Sequence, residues 1–334
     1  MSIKRLLIGD IHSCYDELQA LLDIAGLSSD DEIIALGDIV DLGPATPQVL
    51  EFFQTQPNAR SIMGNHERKH LRSFRGETKA AQSQIISRAQ LGESYPAWLK
   101  FIETFPRGLE LDEVILVHGF WEPGKTLAEQ KDKVIIGMMG GEKIATRARD
   151  KKWYESYDGD KPLIVGHHDY LHNRQPLIYR DKVFCLDTSC CSGGALTAII
   201  LPDFRIVSVP SRANYWRQTV RAYRASLPPQ PVFEWTAEDE WVLEKIYDAM
   251  MSRVQQLLAE LKQDENFEQL TPHQQGKLFA EKVGRGNLAR YIHHARLGKL
   301  TVDGLRRGLH DPERAREISN DLSLLDESSN APRY

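Results

Sequence analysis

One set of residues in this chain carries side chains suited to a single chemistry: Asp10, His12, Asp38, Asp41, Asn65, His66, His118 and His167. They fall in ordered blocks, Gly9-Asp10-Ile11-His12, Gly37-Asp38-Ile39-Val40-Asp41, Gly64-Asn65-His66-Glu67, His118-Gly119 and Gly166-His167. Three carboxylates, an amide and several imidazoles drawn to one place would carry a large uncompensated desolvation cost. Divalent cations resolve that cost. Carboxylate plus imidazole ligation suits manganese, iron or zinc better than an all-oxygen magnesium or calcium cage. The set is large enough for two ions. A shared carboxylate bridges ions about 3.5–4 Å apart, acidifies a bridging water and helps clamp a phosphoryl group. A histidine left outside the ligand set can protonate a leaving oxygen.

The elements that must position these residues show in the apolar runs around them. Residues 3–8, 32–36 and 59–63 are short, β-branched or leucine-rich runs, each closing on one of the first three blocks. Helical spacing follows each of them, as with Leu18, Leu21 and Leu22 after the first. Residues 114–117 and 162–165 are further strands that close on His118-Gly119 and Gly166-His167. Polar residues placed just past the carboxyl ends of strands in β-loop-α units mark the edge where α/β sheets build their sites. Residues 177–186 and 195–209 predict antiparallel additions joined by a turn-rich loop. The expected fold class is α/β, a central mixed sheet, or sandwich, flanked by helices. From about residue 214 the character changes. Pro228, Pro229 and Pro231 mark a linker, Thr236 with Glu238, Asp239 and Glu240 marks a helix start, and Trp241, Ile246, Met250, Val254, Leu257, Leu258 and Leu261 recur at helical spacing. The expected division is a catalytic domain over residues 1–213 and a mainly helical region over residues 214–334.

These blocks resemble the signatures of the metallophosphoesterases of calcineurin-like fold, particularly the phosphoprotein-phosphatase branch. Val117-His118-Gly119, Gly166-His167 and the later Leu186-Asp187-Thr188 and Gly193-Gly194 stand in that branch's order, similar to small diadenosine-tetraphosphatase-like proteins and RNA-repair phosphatase modules. The resemblance covers about residues 3–209. It implies a hydrolase with two divalent ions, manganese foremost, with iron, zinc, nickel or cobalt as other candidates. It implies that Asp10, His12 and Asp38 hold the first ion and that Asp38 bridges to a second completed by Asn65, His118 and His167. A bridging hydroxide would attack phosphorus, with His66 as general acid oriented by Asp41. The substrates implied are phosphoproteins or other phosphomonoesters, nucleotides and dinucleoside polyphosphates. A phosphodiester or nucleic-acid end is an alternative, and a non-catalytic metal-binding scaffold is another. The His66–Asp41 pair argues against the scaffold, which needs no acid.

One departure matters. The branch usually has Val-Asp-Arg-Gly where this chain has Val40-Asp41-Leu42-Gly43. That arginine grips the substrate phosphate, and Leu42 cannot. Arg68, Arg147 and Arg149 are the candidate replacements, with Lys69 beside the first. Asp169, two residues past His167, is a further candidate ligand. Glu67 reads either as a residue that supports the site from behind or as a helix-start residue, and His70, His168 and His172 as residues behind the site or on the surface.

Of the 334 residues, 41% are hydrophobic and 27% charged, and the net charge is -5. That describes an ordinary globular chain with no global pull toward nucleic acid or acidic membranes, although a local basic patch is compatible with it. No apolar run approaches the ~20 residues of a membrane helix. Few residues precede the first motif, so no signal peptide is expected. Cys14, Cys185, Cys190 and Cys191 read as buried thiols of a cytoplasmic protein.

Overall fold

The computed structural model describes residues 3–146, 151–228, 233–284, 286 and 288–320. The chain divides into two compact units, Met1–Pro228 and Pro229–Tyr334.

The first unit is built on two five-stranded mixed sheets. One has the order β10-β9-β1-β2-β3, the other β4-β5-β6-β8-β7. The strands are β1 (Arg5–Ile8), β2 (Glu32–Ala35), β3 (Ala59–Ser61), β4 (Gly108–Glu110), β5 (Ile115–Val117), β6 (Leu163–Val165), β7 (Leu177–Tyr179), β8 (Val183–Cys185), β9 (Ala195–Leu201) and β10 (Arg205–Pro210). β1, β2 and β3 run parallel, as do β5, β6 and β8. The runs at 177–186 and 195–209 are each a hairpin of two strands; β9 joins β1 antiparallel as expected, whereas β8 joins β6 in parallel and only β7 adds antiparallel at that sheet's edge. β4 has no clear signal in sequence, because Gly108-Leu109-Glu110 is short and half polar.

Side chains alternate across a strand, so each sheet has two faces to cover. Leu7, Ile34, Leu116, Ile164, Phe184 and Ile199 form one core, drawn from strands of both sheets. Leu6, Ile8, Ile33, Leu163 and Val165 point the other way and cluster with helix residues. Both faces are dry, which is why these strands read as continuous apolar runs instead of alternating ones. The helices are α1 (Tyr15–Ala25), α2 (Thr46–Thr55), α3 (Asn65–Phe74), α4 (Gln82–Leu91), α5 (Tyr95–Ile102), α6 (Asp132–Ile135), α7 (Gly141–Ala145) and α8 (Tyr215–Ser226). α1 packs on β9 and β10, and α2 on β3. The division expected at residue 213 falls later in the structure. α8 lies in the first unit, packed on α4 and on the turn after Ser189. All four cysteines are buried and unpaired.

The second unit is a helix cluster on α9 (Ala237–Leu261), with α10 (Pro272–Val283), α11 (Ala289–Arg296), α12 (Val302–Leu309) and α13 (Pro312–Asn320) packed against it. The start signal is real: Thr236 accepts from the Asp239 N–H, and the Asp239 carboxylate reaches back to the Thr236 N–H at 3.0 Å. Trp241 departs from the expected stripe and stands exposed with Lys245 over its ring. Val242 and Leu243 take the buried positions instead, one turn ahead of Ile246.

Leu7 lies at the centre of the core between the sheets, fully buried. Leu7→Ala should lower the unfolding free energy by about 2–5 kcal/mol, read from urea unfolding. A loss well under about 1 kcal/mol would mean that the two sheets do not share a packed interface there.

Candidate active site

The carboxyl ends of β1, β2, β3, β5 and β6 deliver the expected residues to one edge where the two sheets meet. The loops are laced together by their own backbone. The His12 N–H donates to the Asp38 carbonyl at 2.9 Å, and the Gly166 N–H donates to the His118 carbonyl at 3.1 Å. Two bonds tie the sheets to each other. The His167 N–H donates to Asp10 Oδ1 at 2.8 Å, and His118 Nδ1 donates to the Leu36 carbonyl at 2.8 Å. His12, Asp38, Asp41 and His167 all have positive φ. Non-glycine residues adopt that conformation at a cost, and it persists where the surroundings over-determine it, as at functional sites.

The glycines ahead of the motifs have a steric reason. A Cβ on Gly64 would stand 2.2 Å from Asp38 Oδ1, and one on Gly166 would stand 2.2 Å from Asp10 Oδ1. The carboxylates sit where those side chains would be.

Asp38 is the shared member of two groups. Its carboxylate lies within 4.8 Å of ligand atoms of His12 and His66 on one side, and of His118 and His167 on the other. Asp10 Oδ2 is 3.8 Å from His12 Nε2, and Asp38 Oδ2 is 3.7 Å from the same nitrogen. His12 Nδ1 stands 2.9 Å from the Val40 carbonyl, which can only accept. The proton therefore sits on Nδ1, and the Nε2 lone pair faces the two carboxylates. His118 repeats the pattern. With Nδ1 donating to Leu36, its Nε2 faces Asn65 Oδ1 at 2.9 Å and Asp38 Oδ2 at 3.4 Å. His167 Nδ1 approaches the same Asn65 oxygen at 2.8 Å.

Lone pairs and anionic oxygens thus converge on two spaces either side of Asp38. Nothing but a proton or a cation makes that arrangement favourable. Burial opposes charge on the His118 ring, yet Asp38 and Asp10 outweigh it and push its pKa up to about 10. Burial, helped by neighbouring imidazoles, pulls His12 down to about 4 and His167 down to about 3. Neutral His12 and His167 are in the protonation state that ligates, whereas the raised His118 holds a proton that a bound cation would displace. Burial also raises Asp10, while for Asp38 the surrounding histidines overcome burial and hold it well below the usual range. The donor set fits a pair of divalent cations.

His66 differs from the other imidazoles. Its Nδ1 donates to Asp41 Oδ2 at 2.7 Å, and its Nε2 lies 3.9 Å from Asp38 Oδ2. Burial works against a charged ring here too, but Asp38 and Asp41 push its pKa up to about 9. Asp41 is itself clamped. His70 Nε2 donates to Oδ1 at 2.8 Å, Ser87 Oγ donates to Oδ1 at 2.6 Å, and the Gln84 amide donates to Oδ2. Against the penalty of burial, His66 and His70 hold the Asp41 carboxyl far below the usual carboxylate range.

Of the two roles expected of Glu67, the structure gives it the one behind the site. Fully buried, its carboxylate accepts from the backbone N–H groups of Asp38 (2.8 Å), Ile39 (2.9 Å), Val40 (3.3 Å) and Gly64 (3.0 Å). It buckles the loop after β2 to the start of α3. His70 is buried behind Asp41 and not on the surface. Gln84 and Ser87 escaped the sequence reading. The one signal was two polar residues at i and i+3 among the apolar positions of α4. Asp169 spends one carboxylate oxygen on its own loop, accepting from the Leu171 and His172 N–H groups, and it belongs to neither ligand group. Arg68 lies one turn past Asn65, with Nη2 3.8 Å from Asp132. Arg147 and Arg149 lie outside the described residues.

The calcineurin-like phosphoesterase family matches residues 3–204, and the chain belongs to that family. It is a metal-dependent phosphohydrolase, and the family implies divalent metal ions. Among relatives is the asymmetrical bis(5'-nucleosyl)-tetraphosphatase PrpE of Bacillus subtilis, 28% identical over 63% of this chain and 95% of that protein. Its counterpart from Halalkalibacterium halodurans is 30% identical over 62% of this chain and 93% of the relative. The crystal structure of a candidate diadenosine tetraphosphatase matches 63% of this chain and 95% of its own length at a TM-score of 0.50 and 23% identity, a likeness of fold.

The buckle is directly testable. Glu67→Gln turns one oxygen into an amide that faces two backbone N–H groups. The metal-free variant should lose at least about 2 kcal/mol in urea unfolding, because buried donors are left unpaired. Its manganese affinity, measured by calorimetry, should fall as well. An unchanged unfolding midpoint would show that the loop holds itself.

Proposed function

We propose that Asp10, His12 and Asp38 hold one divalent cation, that Asp38 bridges to a second held with Asn65, His118 and His167, and that His66 is the general acid. The observation that carries the assignment of the acid is the Asp41–His66 bond. It fixes Nδ1 as a donor to a carboxylate and leaves Nε2 on the side of Asp38 to carry a proton toward substrate. The cations would supply Lewis-acid polarisation of the phosphoryl oxygens and acidify the attacking water. The remaining steps belong to the chain. Asp41, held by His70, Gln84 and Ser87, keeps the His66 ring in one tautomer and orientation. His66 Nε2 gives its proton to the oxygen that leaves phosphorus, so the departing group is neutralised as the P–O bond breaks. Asn65, at the first turn of α3, offers an oxygen with no charge, so the site is not overloaded with anions. Manganese is the metal we assign, from the mixed oxygen and imidazole donors. The four unpaired thiols suit a cytoplasmic site of action.

For substrate we infer a phosphoanhydride-linked nucleotide of the dinucleoside polyphosphate class, the class named for the tetraphosphatase relatives. Leu42 supports this reading over a small phosphomonoester. It is half-buried and packed on the main core, so the loop after β2 presents no cation to a phosphate.

Full-length protein with manganese should hydrolyse diadenosine tetraphosphate and p-nitrophenyl phosphate, and a chelator should abolish both reactions. Hydrolysis of neither would remove the proposal. Asp38→Asn should lose both activity and bound metal. His66→Asn should keep its metal while turnover falls about 10²–10⁴-fold, with the larger losses for poorer leaving groups. An equal loss across leaving groups would show that His66 is not the acid.

A further inference from the structure

The face of α3 that leads away from the metal site carries more positive charge than hydrolysis at one phosphorus requires. Asn65, Arg68, Lys69 and Arg72 stand at i, i+3, i+4 and i+7, a single stripe along the helix. They line one wall of a cavity of about 600 Å³, and Lys133 of α6 lines the same cavity. Arg68 and Arg72 have acidic neighbours, Asp132 and Glu77, at 3.8 and 3.1 Å. Among the described residues, Lys69 and Lys133 have no acidic partner. Arg68 also buries its Nε without a hydrogen-bond partner, an unused donor beside this cavity. Such a donor costs free energy until something accepts from it. Met138 and Met139 supply the apolar side chains of the lining, and Met139 is 96% exposed.

We propose that this groove binds the phosphates beyond the scissile one in a nucleoside polyphosphate, with the Met138–Met139 shoulder receiving the nucleoside. The proposal rests on the hydrolase reading above. From Asn65 to Arg72 the helix rises roughly 10 Å. A single phosphate held at the metal site cannot reach cations spread over that length, but a phosphate chain leaving the site can run along them. Charged donors suit phosphate oxygens, and thioether side chains adapt to a flat apolar ring. The groove also answers the loss at Leu42. The cationic grip on phosphate has moved from the loop after β2 to α3, from beside the reacting phosphorus to the chain behind it.

The test uses the manganese-loaded full chain and the double variant Lys69→Glu/Arg72→Glu, with Lys133→Glu as a second variant on another element. The ratio of kcat/KM for diadenosine tetraphosphate to that for p-nitrophenyl phosphate should fall at least about tenfold in each variant. Inorganic tripolyphosphate should inhibit wild-type hydrolysis of p-nitrophenyl phosphate competitively, and at least about tenfold less well in the variants. An unchanged ratio, or equal inhibition of wild type and variants, overturns the proposal. So does stronger competition by a 5'-phosphorylated single-stranded oligonucleotide than by tripolyphosphate, which would assign the groove to nucleic acid. Failure of the hydrolase reading looks different, since wild type then cleaves neither substrate. Calorimetric titration of tripolyphosphate into wild type and variants still decides the groove in that case.

Discussion

The Glu67 carboxylate is the constraint on which the rest of the site depends. A fully buried carboxylate is expensive unless every lone pair is used. Glu67 uses its lone pairs on four backbone N–H groups from two separate loops. Three of those donors sit in a turn that begins with Asp38 at positive φ, a conformation a β-strand end would not adopt unaided. Burial and the charge of Asp38 push Glu67 up to about 7, although its backbone donors pull the other way. The strain at Asp38 and the cost of burying Glu67 are therefore settled in one structure. Because Gly64 has no side chain, the two loops can close to hydrogen-bond distance.

The second requirement is the meeting of two sheets. β1, β2 and β3 deliver Asp10, His12, Asp38, Asp41, Asn65 and His66, all from one sheet. They supply few nitrogen donors for a second cation. β5 and β6 of the other sheet contribute His118 and His167. These arrive through contacts that reach across, His118 to the Leu36 carbonyl and the His167 N–H to Asp10. Residues more than a hundred positions apart in sequence thus share a carboxylate. A dry core shared by the two sheets, with Leu7, Leu116 and Ile164 in one cluster, fixes their spacing. Packed cores of this density resist small displacements, and metal ligation tolerates little.

Much of this was legible in the sequence, for physical reasons. Strands buried on both faces announce themselves as apolar runs, and the polar residues just past them are the ones a sheet edge exposes. The pairing of Asp41 with His66 was implied by the family resemblance of the motifs that carry them, and not by their position alone. What sequence withheld was the support behind the first contacts. Glu67 looks like any acidic residue in a helix's first turn, where the helix dipole alone would favour it. Only the fold shows that its carboxylate faces backward into the β2 loop. His70, Gln84 and Ser87 belong to two helices whose packing sequence periodicity does not specify, so their convergence on Asp41 was not visible. Trp241 failed for a simpler reason: a large apolar residue beside a stripe was counted in it, although five residues from Ile246 it falls on another face of α9.

The leucine at position 42 shows how these levels constrain one another. Asp41 and Leu42 both have positive φ, and Leu42 turns back onto the core. The arginine that the related branch carries there would grip oxygens of the reacting phosphate, where an interaction can strengthen in the transition state. Contacts with more distant phosphates are made equally in ground and transition states unless their binding energy is spent on positioning. An enzyme that grips its substrate along α3 gains rate only if the grip sets the reacting phosphorus against the attacking water and His66. That requirement falls on α3 itself. Its first residue, Asn65, is the ligand proposed for the second cation, its second, His66, is the proposed acid, and its third, Glu67, locks the helix to the β2 loop. A substrate held further along the same rigid helix is registered to all three at once.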